Sequence, residues 1–142
     1  MKFIVNTDGG ARGNPGPAGI GFVISDGVKI VKEGNAYIGE TTNNQAEYEA
    51  LIRAFVELEK FIPEDSRTDV HIEVRMDSEL VIKQLRREYK VKDAGLKLQF
   101  AKVTEHISKF PSIIFKHIPR EQNAEADALA NEAMDGAISK SK

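Results

Sequence analysis

The order of its apolar segments constrains the fold of this chain most strongly. Strand-like segments come first, over residues 3–5, which lead to Asp8, and then over residues 20–25 and 29–38. The second and third segments are separated by Asp26-Gly27, which is a strong hairpin signal. The three strands are therefore predicted to form an antiparallel meander.

Helices and strands alternate in the rest of the chain. The predicted elements are a helix over residues 43–60, a strand over 70–76, helices over 78–87 and 96–107, a strand over 113–115 and a helix over 123–134. Asn43 or Asn44 is predicted to cap the first helix, and Ser78 the second. This order predicts an α/β fold in which a five-stranded mixed sheet, with three antiparallel strands at its start, carries helices on both faces.

Length and composition predict one domain over residues 1–136, followed by a flexible tail over 137–142. The 142 residues are 41% hydrophobic and 30% charged, which is enough to bury a core without disulfides. No run approaches the roughly 18 apolar residues of a membrane span, and the N-terminal apolar segment is too short for a secretory signal. A cytoplasmic protein with no membrane association is expected, and a monomer is the default.

Four acidic residues each interrupt or end an apolar stretch, in four separate segments: Asp8, Glu47, Asp77 and Asp127. Taken alone, each of them is most simply a helix cap or a surface carboxylate. A carboxylate beside a hydrophobic run costs several kcal/mol unless it is paired or bound to a metal. The four together therefore favour a shared divalent-cation site.

The residue types restrict the chemistry of such a site. The chain has no cysteine and only three histidines, so any metal must be bound mainly through oxygen. Carboxylate oxygens suit Mg²⁺, and a pair of such ions about 4 Å apart promotes in-line displacement at phosphorus. Two Mg²⁺ ions, with Mn²⁺ as the substitute, and phosphodiester hydrolysis are the expected cofactor and reaction.

Residues 9–19, which are rich in glycine and proline, are predicted to form a loop. Its glycine-rich part over residues 9–16 admits two interpretations. It has neither the ending of a phosphate-binding loop nor the spacing of a dinucleotide-binding fold, so a nucleotide-binding loop is disfavoured. A turn at Gly9 and Gly10 that lets the backbone approach a substrate groove is favoured. Asn43 and Asn44 are either helix caps or amides that contact sugar hydroxyls and phosphates.

The charge distribution bears on nucleic-acid binding. The net charge of −2 argues mildly against high affinity for phosphates. Residues 83–97, however, contain six basic and two acidic residues, with Lys90 and Lys92 near the centre. This segment is either a solvated helix end or a surface that binds the nucleic-acid backbone.

Across nearly its whole length the chain resembles the type 1 ribonuclease H family, whose members cleave the RNA strand of RNA/DNA hybrids. The similarity is carried by Thr7-Asp8-Gly9, Asn14-Pro15-Gly16-Pro17, Thr42-Asn43-Asn44-Gln45-Ala46-Glu47, Met76-Asp77-Ser78 and Asn123-x-x-x-Asp127-x-Leu129-Ala130. It implies a ribonuclease H-like fold, a two-Mg²⁺ site on the four carboxylates, and products with 5′-phosphate and 3′-hydroxyl ends. It also implies that Asn14, Asn43 and Asn44 line the groove for the hybrid and that Thr42 contacts a DNA phosphate.

Some positions depart from the family pattern. A histidine before the last helix assists turnover in the family; His117 has the equivalent spacing here, and Arg120 is the alternative. The basic helical protrusion of many relatives is missing, since a short connection links Arg87 to Leu96. Weaker hybrid binding is therefore expected. Glu79 also adds a negative charge where many relatives carry a neutral amide.

Two rival functions remain open at this point. A binding module that has lost catalysis would keep the fold, but the presence of all four carboxylates disfavours it. A related two-metal nuclease would attack DNA instead, and the pair Asn43-Asn44 ahead of Glu47 favours recognition of a 2′-hydroxyl over that alternative.

Overall fold

The computed structural model describes residues 1–140. The elements are β1 (Lys2–Ala11), β2 (Gly16–Ser25), β3 (Ile30–Thr41), α1 (Asn43–Phe61), β4 (His71–Met76), α2 (Glu79–Leu85), α3 (Ala94–Ile107), β5 (Ile113–His117) and α4 (Ala124–Lys140). Short 3-10 turns at Glu64–Asp69 and Arg120–Asn123 precede β4 and α4. Within the described residues, no helix is both long enough and apolar enough to cross a bilayer.

The five strands form one mixed sheet in the order β3-β2-β1-β4-β5. The first three strands pair in antiparallel fashion, whereas β1 pairs with β4, and β4 with β5, in parallel. This mixed sheet confirms the predicted fold class. The parallel pairs require crossover connections, and the helices that follow β3 provide them. Glu33 and Val23, for example, face each other across the β2–β3 pair.

Helices cover both faces of this sheet. One face packs against α1 and builds the main core, in which Val5, Leu51, Phe55 and Val74 are fully buried. The other face packs against α4, chiefly through β2 and β3. Since neighbouring residues of a strand point to opposite faces, β1 presents side chains alternately to α1 and to α4.

The register between β1 and β4 determines where the functional groups lie. The last pair of this parallel ladder is Asn6 with Arg75. Asp8 and Asp77 both lie two residues further along their chains, so the ladder brings them side by side. They stand toward the carboxyl ends of parallel strands, where ligands of open α/β sheets bind.

The glycine-rich segment differs most from its predicted structure. Instead of a loop over residues 9–19, β1 continues to Ala11 and β2 begins at Gly16, with Ala11 opposite Ala18. Asp8 therefore lies within β1 rather than at its end. Gly9 in this segment and Gly21 just after it lie directly beneath helices that leave no room for a side chain. These glycines therefore serve close helix packing rather than a long loop.

Some predicted helix boundaries also need correction. Neither Asn43 nor Asn44 caps α1: the cap is Thr42, whose hydroxyl accepts a hydrogen bond from the Gln45 amide at 3.3 Å. Ser78 caps α2 as predicted. The last helix runs well past the predicted end at residue 134, so residues 137–140 of the predicted tail are helical. Residues 141–142 lie outside the described residues.

Candidate active site

Carboxylates from three parts of the chain meet beside the second half of β1 and the end of β4. Asp8 comes from β1, Glu47 from the second turn of α1, and Asp77 directly follows β4. One carboxylate oxygen from each of the three lies within 4.8 Å of the others. Carboxylates that are tens of residues apart in the sequence thus lie close enough together to bind one metal ion.

Glu47 is held in this cluster by a close approach of α1 to β1. A side chain at Gly9 would collide with the backbone carbonyl of Ala46, so the absence of one there lets the helix start rest on the strand. In this arrangement the Gly9 amide donates a hydrogen bond to Glu47 Oε1 at 2.6 Å. The Glu47 side chain is buried, with 6% of the residue exposed.

Asp127 reaches the cluster from the opposite face of the sheet. It lies in the first turn of α4 with its side chain beside that of Asp8, and this contact is one of the causes that raise the pKa of Asp8. Asp8 pairs across the ladder with Gly21, where a side chain would collide with the Ala126 carbonyl of α4. All four predicted carboxylates line one open groove of about 530 Å³.

The crowding of acids makes ionisation of this cluster unfavourable in the absence of a cation. Burial, followed by the charge of Asp77 and the contact with Asp127, raises the pKa of Asp8 to about 8. Burial is also the main reason that the pKa of Glu47 is raised well above its usual value, with Asp8 and Asp77 adding to the effect. Burial raises the pKa of Asp77, against the opposing charge of Arg120 and a hydrogen bond from Asn123.

These properties fit a divalent-cation site. A cluster of closely spaced carboxylates, whose pKa values are raised first by burial and then by mutual repulsion, gains most from a cation that neutralises it. The residues that would hold the ions are the four carboxylates. Their donor set is all oxygen, as expected for Mg²⁺ or Mn²⁺.

The two candidates for an auxiliary role occupy different positions. Arg120 lies in the 3-10 turn before α4 and lines the acidic groove, where its charge lowers the pKa values of Asp8 and Glu47. His117 is the last residue of β5, and its Nε2 lies 3.3 Å from the Asp77 carbonyl oxygen. The structure therefore brings Arg120 to the carboxylates and leaves His117 at the strand end beside Asp77.

Most of the predicted substrate-contacting residues lie around the same groove. Gly9, Gly10, Asn43 and Asn44 line it together with the carboxylates. Asn43 Oδ1 accepts a hydrogen bond from the Ala11 amide at 2.8 Å. The groove wall next to β1 is thus tied to the start of α1.

Asn14 and Thr42 lie close to this wall without lining the groove. Asn14 Oδ1 accepts a hydrogen bond from the Asn43 amide at 3.1 Å, so the β1–β2 connection is fastened to α1. Thr42 uses its hydroxyl as the cap of α1. Its predicted phosphate contact stays a prediction.

Lys90 and Lys92 lie in the connection between α2 and α3, away from the carboxylates. Lys90 borders shallow depressions together with Arg87 and Tyr89, and Lys92 borders one of them. Residues 86–93 join the two helices directly, consistent with the absence of a helical protrusion. Glu79 forms an ion pair with Lys83 at 2.8 Å, which offsets the extra negative charge.

Sequence reasoning did not assign a role to several residues of this region. Asn123 is 1% exposed, donates to the Thr7 carbonyl at 2.9 Å, and its side chain lies close enough to Asp77 to lower the pKa of that carboxyl. Its position four residues before Asp127 was the available signal. Arg12 and Asn131 also line the groove, and no sequence pattern distinguished them from surface residues.

Comparison with known proteins gives a consistent result. The model of the family described as Reverse transcriptase-like matches residues 6–133. The chain is 45% identical over 131 residues to Ribonuclease HI of Halobacterium salinarum, a match that covers 92% of this chain and 63% of that protein. It is 39% identical to Bifunctional protein Rv2228c of Mycobacterium tuberculosis, over 96% of this chain and 36% of that protein. The chain thus spans less than two thirds of the length of both relatives.

Solved structures agree with the sequence relatives. The crystal structure of LC11-RNase H1 in complex with an RNA/DNA hybrid is 54% identical in sequence and superimposes with a TM-score of 0.89. That match covers 96% of this chain and 99% of the other. The similarity therefore extends over the whole arrangement of β1, α1, β4 and α4 that builds the acidic groove.

Proposed function

Because the chain belongs to the type 1 ribonuclease H family, we propose that it is a divalent-cation-dependent endonuclease that hydrolyses the RNA strand of RNA/DNA hybrids. The products are a 5′-phosphate and a 3′-hydroxyl. The observation that carries this proposal is the convergence of Asp8, Glu47, Asp77 and Asp127 on one groove that is open to solvent. A monomeric state and a cytoplasmic location stay predictions.

In this mechanism the chain supplies a rigid array of oxygens. Two divalent cations held by the four carboxylates would supply charge neutralisation and Lewis-acid activation for in-line displacement at phosphorus. The Gly9 amide fixes the orientation of Glu47, and Asn123 fixes that of Asp77. Preorganised groups of this kind need no rearrangement during the reaction, which is why they are effective in catalysis.

Arg120 provides a positively charged side chain beside the reacting phosphate, in addition to the metal ions. It lines the groove and acts electrostatically on three of the carboxylates, so it is placed to stabilise negative charge that develops on phosphate oxygens. His117 contacts the Asp77 backbone and influences the site through that segment.

Selection of RNA rests on Asn43, which lines the groove, and on Asn14, which lies close to that wall. The side-chain oxygens of Asn14 and Asn43 are engaged by backbone amides, which fixes the orientation of both side chains. Their amide NH2 groups have no protein acceptor among the described residues and are available to donate to sugar or base oxygens. The 2′-hydroxyl is the group that distinguishes RNA from DNA at such a wall.

The substrate assay compares three duplexes of the same sequence: an RNA/DNA hybrid, double-stranded RNA and double-stranded DNA. In Mg²⁺, the expected result is cleavage of the RNA strand of the hybrid alone. Cleavage of double-stranded DNA would identify the DNA nuclease alternative, and binding without cleavage would identify a catalytically inactive module.

The matched variant for this assay is Asp8→Asn, which keeps the size of the side chain and removes its charge. Hydrolysis should be lost, while hybrid affinity stays within about tenfold, because the carboxylate serves the chemistry more than the binding. Near-normal turnover in this variant would remove Asp8 from the catalytic site.

A further inference from the structure

Arg12 lies on the rim of the acidic groove, and nothing in the reaction described above uses it. Its backbone is fixed, since its amide donates to the Pro17 carbonyl at 2.8 Å and closes the tight connection between β1 and β2. Its side chain lines the groove and is 37% exposed. Among the described residues, Arg12 and Arg120 are the two basic residues that line this groove.

The guanidinium of Arg12 is bound by α4. Nη1 forms an ion pair with Asp135 at 2.6 Å, and Nη2 donates to Asn131 Oδ1 at 3.3 Å. The Asp135 side chain is 67% exposed, so both partners of this ion pair are open to water. Exposed pairs of this kind contribute little to stability, and a competing anion can replace the carboxylate at small cost.

The α4 residues that bind Arg12 lie some distance along the helix from the carboxylate cluster. Asn131 and Asp135 follow Asp127 by four and eight residues, which is about 6 and 12 Å along a helix that rises 1.5 Å per residue. Successive phosphates of one strand rise by about 3.4 Å along a duplex. This offset is too large for contact with the scissile phosphate and corresponds to the spacing of a flanking phosphate, roughly two to four nucleotides away.

The groove also needs a cation at this point. Its floor carries four carboxylates, which repel a phosphodiester backbone wherever metal ions do not neutralise them. An arginine fork binds phosphate in the same geometry as it binds a carboxylate. Asp135 thus binds Arg12 at a position on the guanidinium that also suits a phosphate oxygen.

We propose that Arg12 binds a flanking backbone phosphate of the nucleic-acid substrate and that Asp135 competes with this phosphate for Arg12 in the free protein. This inference rests on the proposed hydrolysis of hybrids. It makes Arg12 a substrate-positioning residue and Asp135 an intramolecular competitor, with opposite effects on substrate binding.

The test measures steady-state hybrid cleavage by Arg12→Ala and by Asp135→Asn. Losing one charge-assisted phosphate contact should raise KM about tenfold in Arg12→Ala, with kcat within about twofold. Removing the competitor should lower KM about two- to fivefold in Asp135→Asn, the range expected for an exposed ion pair. The dependence of log KM on log salt concentration should become shallower by about one unit in Arg12→Ala.

The exposed ion pair of Lys60 and Glu57, at 3.1 Å near the end of α1, provides matched controls. Lys60→Ala and Glu57→Gln change the net charge in the same way as the two test variants but lie outside the groove, so their KM values should stay at the wild-type level. A hybrid in which single RNA phosphates are replaced by neutral methylphosphonates then locates the contact. Wild type should lose affinity at one flanking position where Arg12→Ala shows no further loss.

The outcomes separate this inference from the proposed function. If wild type cleaves the hybrid but both test variants raise KM, or neither changes it, the ion pair only joins the β1–β2 connection to α4 and the inference is wrong. Equal shifts in the Lys60 and Glu57 controls would assign the effect to net charge and would also overturn it. No hybrid cleavage by wild type would refute the proposed function and this inference with it.

Discussion

The protonation of Asp8 shows how a single residue reports on the whole site. A pKa near 8 means that the metal-free fold holds a proton which the unfolded chain, with the usual value of 3.8, releases in mild acid. The stabilising effect of this proton is fully present below the unfolded pKa and is lost as the pH rises toward the folded one. The clustered acids therefore destabilise the metal-free protein progressively between about pH 4 and 8.

This gives a prediction for Asp8→Asn in the absence of metal. At pH 8 in a chelator, the variant should unfold at a higher temperature than wild type, by several °C for roughly 1 kcal/mol or more. At pH 4 the difference should be small, since Asp8 is then protonated in the folded state and, close to its unfolded pKa of 3.8, roughly half protonated in the unfolded chain. Thermal melts of both proteins across this pH range check the prediction. A difference that is the same at both pH values would contradict a raised pKa for Asp8.

A second residue-scale prediction separates the two auxiliary candidates. Arg120→Ala should lower the single-turnover rate by about tenfold or more, because it removes the cation that lines the groove beside the carboxylates. His117→Ala should have a smaller effect on that rate, since its ring contacts a backbone carbonyl rather than the groove. Comparison of single-turnover with steady-state rates shows whether either residue acts in chemistry or in product release. Equal, negligible losses would exclude an auxiliary role for both.

At the residue scale, the sequence predicted site residues where their type and surroundings matched the requirements of a metal site. The four carboxylates could be identified because each stands in a strongly patterned segment beside apolar residues. Arg12 could not, because an arginine in a glycine-rich segment looks like any surface cation until the fold places α4 beside it. The choice between His117 and Arg120 likewise depends on the turn between β5 and α4, which places Arg120 against the groove.

At the level of elements, two glycines control how closely the helices approach the sheet. Gly9 lets the start of α1 rest on β1 and brings in Glu47, and Gly21 lets the first turn of α4 rest on β2 and brings in Asp127. A methyl group at either position would push a helix, and its carboxylate, away from the site.

This predicts that Gly21→Ala destabilises the protein by about 1–3 kcal/mol, the usual range for overpacking a tight contact. It should also lower kcat, because α4 carries Asp127. The matched control is Gly136→Ala, at an exposed position of α4 with open space around it. Alanine there should increase the free energy of unfolding by about 0.5–1 kcal/mol. Denaturant unfolding and hybrid cleavage check both variants. If Gly21→Ala behaved like the control, close packing of α4 would not position Asp127.

The sequence predicted the identity and order of the elements better than their ends. Apolar periodicity identified α1 and α3 because their buried faces repeat at helical spacing. The glycines of residues 9–19 were interpreted as a loop, since local propensity cannot register that the backbone is covered by helices on both sides. The cap of α1 was misplaced by one or two residues, because Thr42 and its asparagine neighbours are all good caps.

At the scale of the whole molecule, the site is a consequence of topology. The β1–β4 register aligns Asp8 with Asp77, while α1 and α4 deliver the other two acids from opposite faces of the sheet. The order of the elements predicted a mixed sheet, but no local pattern specifies a register between strands separated by an intervening helix. Convergence of the acids was therefore an inference from chemistry, and the fold supplies its geometry.

A whole-molecule prediction follows for stability. Mg²⁺ at about ten times its dissociation constant should raise the melting temperature of wild type by a few °C, because it binds the folded state and offsets the repulsion of the acids. In Asp77→Asn, the metal-free melting temperature should be higher and the response to Mg²⁺ smaller. Melting curves that are insensitive to both changes would count against a clustered cation site.

Anomalous diffraction from crystals soaked in Mn²⁺ with a bound hybrid, using Asp127→Asn to slow cleavage, tests most directly whether the acidic groove binds two cations. Two anomalous peaks about 4 Å apart are expected, with oxygens of Asp8, Glu47 and Asp77 as their ligands. The scissile phosphate of the RNA strand should lie against both peaks. Peaks located elsewhere on the protein, or none at all at millimolar Mn²⁺, would contradict a two-cation site in the groove.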